Sequence, residues 1–304
     1  MKSYQRVLLF LLVVLFLTAL TAPWFAVLWD RFFDAFPQWE KYRFPFSRIF
    51  DRTYMGFGII LFFAYRPLLK IDSMKQMGLQ SPRMGYPDFL WGAFFGLAAW
   101  IILALAMTSL DVFNPYIARS LSVSLERSFG ALMSGIAVGV LEEIFFRGII
   151  LRGLLADWNR SLAFVCASLF YSAVHFIQPA KKIIVTELEP LAGVQHVIES
   201  FHLFADPVTL FPGFFGLFVI GLVLSFAYYR TGSLYLGIGI HAGLVFGRKT
   251  LTLYGNYNED KMGLLFGDTE PRFVSGVATW ILVFVMGCVI YWMTRERKNN
   301  SPGA

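Results

Sequence analysis

The sequence has 304 residues, 57% of them hydrophobic and 15% charged, with a formal net charge of +6. A soluble globular chain carries about 25% charged residues, so the composition excludes an ordinary water-soluble fold, and it excludes a disordered chain as well. The two cysteines, Cys166 and Cys288, lie in apolar runs, which excludes a secreted disulfide scaffold. The positive charges form no basic run, which argues against nucleic acid as a partner and favours attraction to the lipid bilayer.

Apolar runs long enough to cross a hydrocarbon core of about 30 Å as helices recur along the chain. We predict an all-α, multi-pass integral membrane protein of about eight transmembrane helices, at 7–29, 54–69, 89–110, 128–155, 161–177, 211–229, 233–246 and 273–293. The second and seventh runs are short, so each also fits a re-entrant or tilted segment, and seven spans is the alternative.

The segments between these runs predict the organisation of the chain. Residues 30–53 alternate aromatic and charged side chains, which is typical of a segment in the headgroup region or of a solvated loop. Residues 178–210 form a polar insertion, with a short amphipathic helix predicted at 196–204 and with His196 and His202 expected on its surface. We therefore expect N-terminal helices and interfacial loops at 1–128, a core at 129–247, and a loop, last helix and basic tail at 248–304. That tail, Arg295 to Lys298, favours a cytoplasmic N-terminus.

Two acids and an arginine interrupt the fourth apolar run. Charges within a membrane helix are costly and mark functional sites by default. Glu143 and Arg147 are four residues apart and should pair on one helical face, whereas Glu142 points about 100° away and is expected to be free. The alternative is a purely structural trio of salt-bridged side chains that holds helices together.

Two of the four histidines lie in later apolar runs. His175 follows Tyr171 by four residues in the fifth run, and His241 lies in the seventh beside small residues suited to close helix packing, namely Gly237, Gly239, Ala242 and Gly243. A lone helical histidine is usually a packing residue, but two such histidines together with Glu142 indicate a site.

The series Glu142-Glu143-x-x-x-Arg147, Tyr171-x-x-x-His175 and His241 resembles the CPBP family (CAAX-processing and bacteriocin-processing), intramembrane proteases of the Rce1 or Abi type. The resemblance covers roughly residues 129–247. It implies an all-helical membrane core with a central water-accessible cavity. Glu142 and His175 would activate a hydrolytic water there, and His241 would stabilise the oxyanion, with Glu143, Arg147 and Tyr171 in support.

Two positions depart from the family pattern. Tyr171 stands where the family usually has Phe, with Phe170 beside it. Val245 stands four residues after His241, where the family usually has Asn or Asp. Since valine donates no hydrogen bond, His241 would act without that partner, another donor would substitute, or activity would be weak.

The residues therefore predict an endopeptidase in which a glutamate activates water, acting on a membrane-associated protein or peptide, in the plasma (inner) membrane of a bacterium if the source is bacterial. No cofactor is expected, although one glutamate and two histidines are also an acceptable zinc ligand set. The alternative from another class is a non-enzymatic immunity or assembly factor that retains the protease fold. Transport is disfavoured because no paired, interrupted repeat helices are visible.

Overall fold

A computed structural model describes residues 1–117, 120–178, 188–267 and 273–295. The predicted basic tail beyond Arg295 and residues 179–187 of the polar insertion lie outside the described residues. The α-helices are α1 Ser3–Ala35, α2 Phe46–Tyr65, α3 Pro82–Ser109, α4 Leu121–Glu143, α5 Arg152–Leu155, α6 Arg160–His175, α7 Ala192–Glu199, α8 Pro207–Thr231, α9 Tyr235–Leu251, α10 Gly263–Phe266 and α11 Val277–Thr294. A π-helix, Ile144–Leu151, joins α4 to α5, and 3-10 helices occur at Pro37–Tyr42, Met74–Met77, His202–Ala205 and Glu259–Lys261.

The helical prediction is confirmed, but the number of spans is not. Within the described residues, five helical segments are long and apolar enough to cross a membrane, namely Ser3–Ala35, Met74–Ser109, Leu121–Leu155, Pro207–Thr231 and Val277–Thr294. The fifth and seventh predicted spans correspond to α6 and α9, which have only 16 and 17 residues. At 1.5 Å per residue these helices are about 24 and 26 Å long, near the lower limit for crossing a hydrocarbon core of about 30 Å.

The chain divides into two compact units, and the first comprises Met1–Lys70 and Ala173–Leu210. Its core is a cluster of small and aromatic side chains from α1, α2 and α7, consisting of Ala22, Ala26, Val27, Phe46, Phe50 and Ala192. His196 of α7 is buried against the rings of Phe46 and Phe50, at centroid distances of 5.3 and 4.5 Å. The prediction that His196 lies on the surface is therefore wrong, whereas His202 is exposed as predicted.

The second unit comprises Ile71–Ser172 and Phe211–Ala304, and glycines hold its α3 and α9 together. A Cβ atom on Gly92 would lie 2.2 Å from the Leu236 carbonyl oxygen, and one on Gly239 would lie 2.1 Å from that of Phe89. Later residues of α3 contact later residues of α9, so the two helices run parallel. Such backbone contact is the purpose that small residues serve between membrane helices.

The opposite side of α9 packs on α4 in the same manner. Gly135 faces the Ala242 carbonyl and Gly139 faces the Ile238 carbonyl, where an added Cβ would lie at 2.7 and 2.9 Å respectively. Later residues of α4 contact earlier residues of α9, so these two helices are antiparallel. The α9 backbone is thus in contact with the backbones of two other helices.

A short two-stranded ribbon follows α3 and α9. β1 Phe113–Pro115 pairs antiparallel with β2 Gly255–Tyr257, with Asn114 opposite Asn256. No strand was predicted, because three residues are too few to show an alternating apolar pattern. The ribbon adjoins an apolar cluster of Leu103, Met107, Val112, Phe113, Met262, Phe266 and Phe273.

We predict that Gly92→Ala destabilises the protein, because the new methyl group would force α3 away from the α9 backbone. The expected cost is about 1–3 kcal/mol, the usual cost of overpacking. The matched control is Gly130→Ala on α4, where no atom lies within 4 Å of the added Cβ. That variant should be unchanged or up to about 1 kcal/mol more stable through helix propensity. Unfolding of both variants in detergent tests this prediction. Equal stabilities would contradict the close backbone contact between α3 and α9.

Candidate active site

The acidic motif lies where α4 passes into the π-helix. Glu142 and Glu143 are the last two residues of α4, and Arg147 lies in the π-helix. Six consecutive residues from Phe146 to Leu151 are buried, so this segment is enclosed on every side. π-Helical turns are rare and are frequently found at functional sites.

Glu143 and Arg147 form a fully buried ion pair. Arg147 Nη1 donates to Glu143 Oε1 at 2.9 Å, and the side chains are 1% exposed for Arg147 and 0% for Glu143. Arg147 Nη2 donates to the Gly221 carbonyl of α8 at 3.3 Å, and the guanidinium lies 4.7 Å from the centre of the Tyr171 ring. The predicted pairing is confirmed, and both side chains of the pair are buried.

His241 lies between the two glutamates. Its Nε2 is 3.5 Å from Glu142 Oε2, and its Nδ1 is 3.5 Å from Glu143 Oε1. Neighbouring side chains on a helix diverge by about 100°, and the imidazole occupies the angle between them with one ring nitrogen towards each. The expectation that Glu142 is free is therefore wrong, because that carboxylate faces His241.

The two glutamates differ in their access to solvent. The Glu142 side chain is 26% exposed, whereas His241 is 7% exposed and Glu143 is fully buried. Tyr171 of α6 is buried beside them, with its ring edge-on to that of His241 at a centroid distance of 6.4 Å. Of these charged groups, Glu142 has the most exposed side chain.

Sequence reasoning missed three contributions to this site. The π-helix has no sequence signature that we could use. Gly237 was predicted only as a packing residue, yet a Cβ there would lie 2.4 Å from Glu143 Oε2, so the missing side chain makes room for the carboxylate. Gly221, the acceptor for Arg147, lies in an apolar helix where its carbonyl gives no signal in the sequence.

Two predicted residues remain, His175 and Val245. His175 is the last residue of α6, is exposed, and belongs to the first compact unit. Its catalytic role stays a prediction. Val245 is half-buried on α9, one turn after His241. Among the described residues, no group of three or more His, Cys, Asp or Glu side chains has an arrangement suited to a metal ion.

Comparison with known proteins gives one finding. Residues 124–247 match the sequence model of a family described as type II CAAX prenyl endopeptidase Rce1-like. No curated protein and no solved structure matches the chain. The matched range contains Glu142, Glu143, Arg147, Tyr171 and His241, and the helices long enough to span a bilayer agree with an integral membrane protein. The resemblance inferred from the motifs is thereby confirmed: residues 124–247 are similar to the Rce1-like sequence model of the CPBP family.

Proposed function

We propose that this protein is an intramembrane endopeptidase that hydrolyses a peptide bond of a membrane-associated protein or peptide with a water activated by Glu142. One observation carries the proposal. Two carboxylates face a single imidazole, and the one that is not held by Arg147 is also the more exposed. In this proposal, Glu142 is the base that activates water and Glu143 is the charge that is structurally fixed.

In the proposed reaction, Glu142 takes a proton from water as the oxygen attacks the carbonyl carbon of the scissile bond. The carbonyl π-electrons move onto oxygen, giving a tetrahedral oxyanion. His241, when protonated, carries a donor on each ring nitrogen, so it can stabilise that charge. Collapse of the intermediate breaks the C–N bond, and the proton held by Glu142 passes to the leaving amine.

We assign Glu143 and Arg147 a positioning role. Arg147 offsets the charge of Glu143, and Glu143 in turn lies against His241 Nδ1. The contact at Nδ1 thus orients the imidazole so that Nε2 points towards Glu142. Tyr171 packs against both Arg147 and His241 and excludes alternative side-chain positions. His175 keeps, as a prediction, the water-holding role that the family resemblance implies.

The family description makes a peptide ending in a prenylated CAAX motif the first substrate to test. Membrane-associated peptides without a prenyl group are the second set. We propose that no cofactor takes part, and we keep zinc as an outcome of the experiment below. A bacterial source would place the protein in the plasma (inner) membrane.

We predict that Glu142→Gln abolishes cleavage of the substrate peptide while leaving the protein folded, because the amide keeps the size of the side chain but cannot accept the proton. The matched control is Glu126→Gln, an exposed glutamate on the same helix, which should cleave at the wild-type rate. Peptide turnover and thermal unfolding in detergent are the two measurements.

Retained turnover in Glu142→Gln would remove the proposed mechanism. If a chelator removed one equivalent of zinc per chain and activity was lost with it, a zinc metalloprotease mechanism would replace the proposed glutamate mechanism. If no variant cleaved any peptide and Glu142→Gln still rescued a deletion phenotype, the non-enzymatic factor would be the better description.

We predict that Arg147→Leu lowers the free energy of unfolding by about 3–5 kcal/mol, since it leaves the Glu143 carboxylate buried without its counter-charge. Adding Glu143→Gln should recover part of the loss because no unpaired charge then remains. Arg248→Leu, at an exposed position on α9, is the control and should be close to wild type. An Arg147→Leu protein that is stable but inactive would instead assign the arginine to substrate binding.

We predict that Val245→Asn accelerates cleavage, because the amide adds a donor one turn from His241. Removing an oxyanion donor costs about 2.7–4 kcal/mol in other enzymes, so a well-aimed donor could add about two orders of magnitude in rate. Val245→Leu is the control and should not gain activity, and His241→Ala should be inactive. Equal rates for the Asn and Leu variants would show that this position does not face the oxyanion.

A further inference from the structure

An apolar groove runs between α1 and α2 within the first compact unit. Its volume is about 960 Å³, in the upper part of the range of small-molecule sites. The α1 wall is aromatic, and the α2 wall continues from the start of that helix as far as Ile60. The residues that define it here are Phe25, Trp29, Phe32, Phe44, Phe57 and Ile60.

Two arginines line one end of this groove. Arg48 and Arg52 are one helical turn apart on α2, and both side chains are exposed. The Arg48 guanidinium lies 4.7 Å from the centre of the Phe44 ring. Two like charges four residues apart on a helix repel each other, so an anion placed between them would be stabilising.

The acids around these arginines do not neutralise the pair. Asp51 is adjacent to Arg52 in the chain and attracts it, but neither arginine forms an ion pair with an acidic side chain in the described part of the chain. The nearby Arg43 is different, because its guanidinium contacts Asp30 at 3.0 Å, Asp34 at 2.6 Å and Glu40 at 3.1 Å. The acids of α1 and of the following 3-10 helix are thus committed to Arg43, which leaves the groove end positive.

The dimensions of the groove fit a lipid. Arg48 and Ile60 are twelve residues apart on α2, which is about 18 Å along a helix. One leaflet of the hydrocarbon core is about 15 Å deep. A phosphate at the arginines would therefore have its acyl chain against the aromatic wall, ending near Ile60.

We propose that this groove binds an anionic phospholipid of the surrounding bilayer, with the phosphate between Arg48 and Arg52 and an acyl chain between α1 and α2. The length of the apolar wall favours a lipid over free phosphate, and the paired charges favour an anionic headgroup over a zwitterionic one. None of the residues that line the groove takes part in the proposed reaction.

The headgroup is tested by native mass spectrometry of the full-length protein in detergent, titrated with dioleoyl phosphatidylglycerol or dioleoyl phosphatidylcholine. Wild type should retain the anionic lipid preferentially. Arg48→Gln/Arg52→Gln should lower its affinity for that lipid by roughly fivefold for each charge removed. Arg31→Gln, an exposed position on α1 outside the groove, is the control and should bind like wild type.

The acyl-chain half of the site has its own matched pair of variants. Gly56 and Gly58 both have open space around an added Cβ, but only Gly56 lines the groove. Gly56→Phe should fill the groove and reduce retention of phosphatidylglycerol at least tenfold, whereas Gly58→Phe should not. The proposal is overturned if both lipids bind equally, if the two phenylalanine variants behave alike, or if inorganic phosphate displaces the lipid, which would indicate a free-anion site. The arginine variants alter exposed side chains only, so they decide the question even if Gly56→Phe fails to fold.

Discussion

The burial of the Glu143 carboxylate in an apolar helix is the constraint on which the site depends. An ionised carboxylate without water is costly, and the cost is offset only when a counter-charge and further hydrogen bonds accompany it. Arg147 supplies the counter-charge, and its guanidinium also donates a hydrogen bond to the Gly221 carbonyl. Gly237 leaves space for the remaining carboxylate oxygen. The π-helix, α8 and α9 therefore all contribute to the burial of one acid on α4.

The position of His241 depends on contacts that involve no catalytic group. Glycines on α3 and α4 bring both backbones against α9, so that helix cannot shift without a clash between main-chain atoms. A side chain on such a helix is held more closely than one on a loop, which is what a preorganised site requires. The glycines therefore limit movement of the α9 backbone, which carries His241 beside Glu142 and Glu143.

Features that depend on spacing within one helix could be predicted from the sequence, and features that depend on a distant partner could not. The Glu143–Arg147 pair follows from a separation of four residues and was predicted. The span predicted over α9 is not confirmed, because a run of apolar and small residues looks the same whether it faces lipid or packs between two helices. His196 was predicted on the surface because it lies in the polar insertion, yet two phenylalanines from α2, about 150 residues earlier in the chain, pack against it.

The presence of two adjacent glutamates has a physical explanation in this arrangement. Glu143 is buried and held by a guanidinium, so its carboxylate is fixed in place against one nitrogen of His241. Glu142 has a partly exposed side chain and faces the other nitrogen of the same imidazole. Because neighbouring side chains diverge by about 100°, adjacent glutamates can lie against the two nitrogens of one histidine. The spacing of one residue is therefore suited to a single imidazole, and a separation of four residues would stack both acids on one face, where their charges would repel each other.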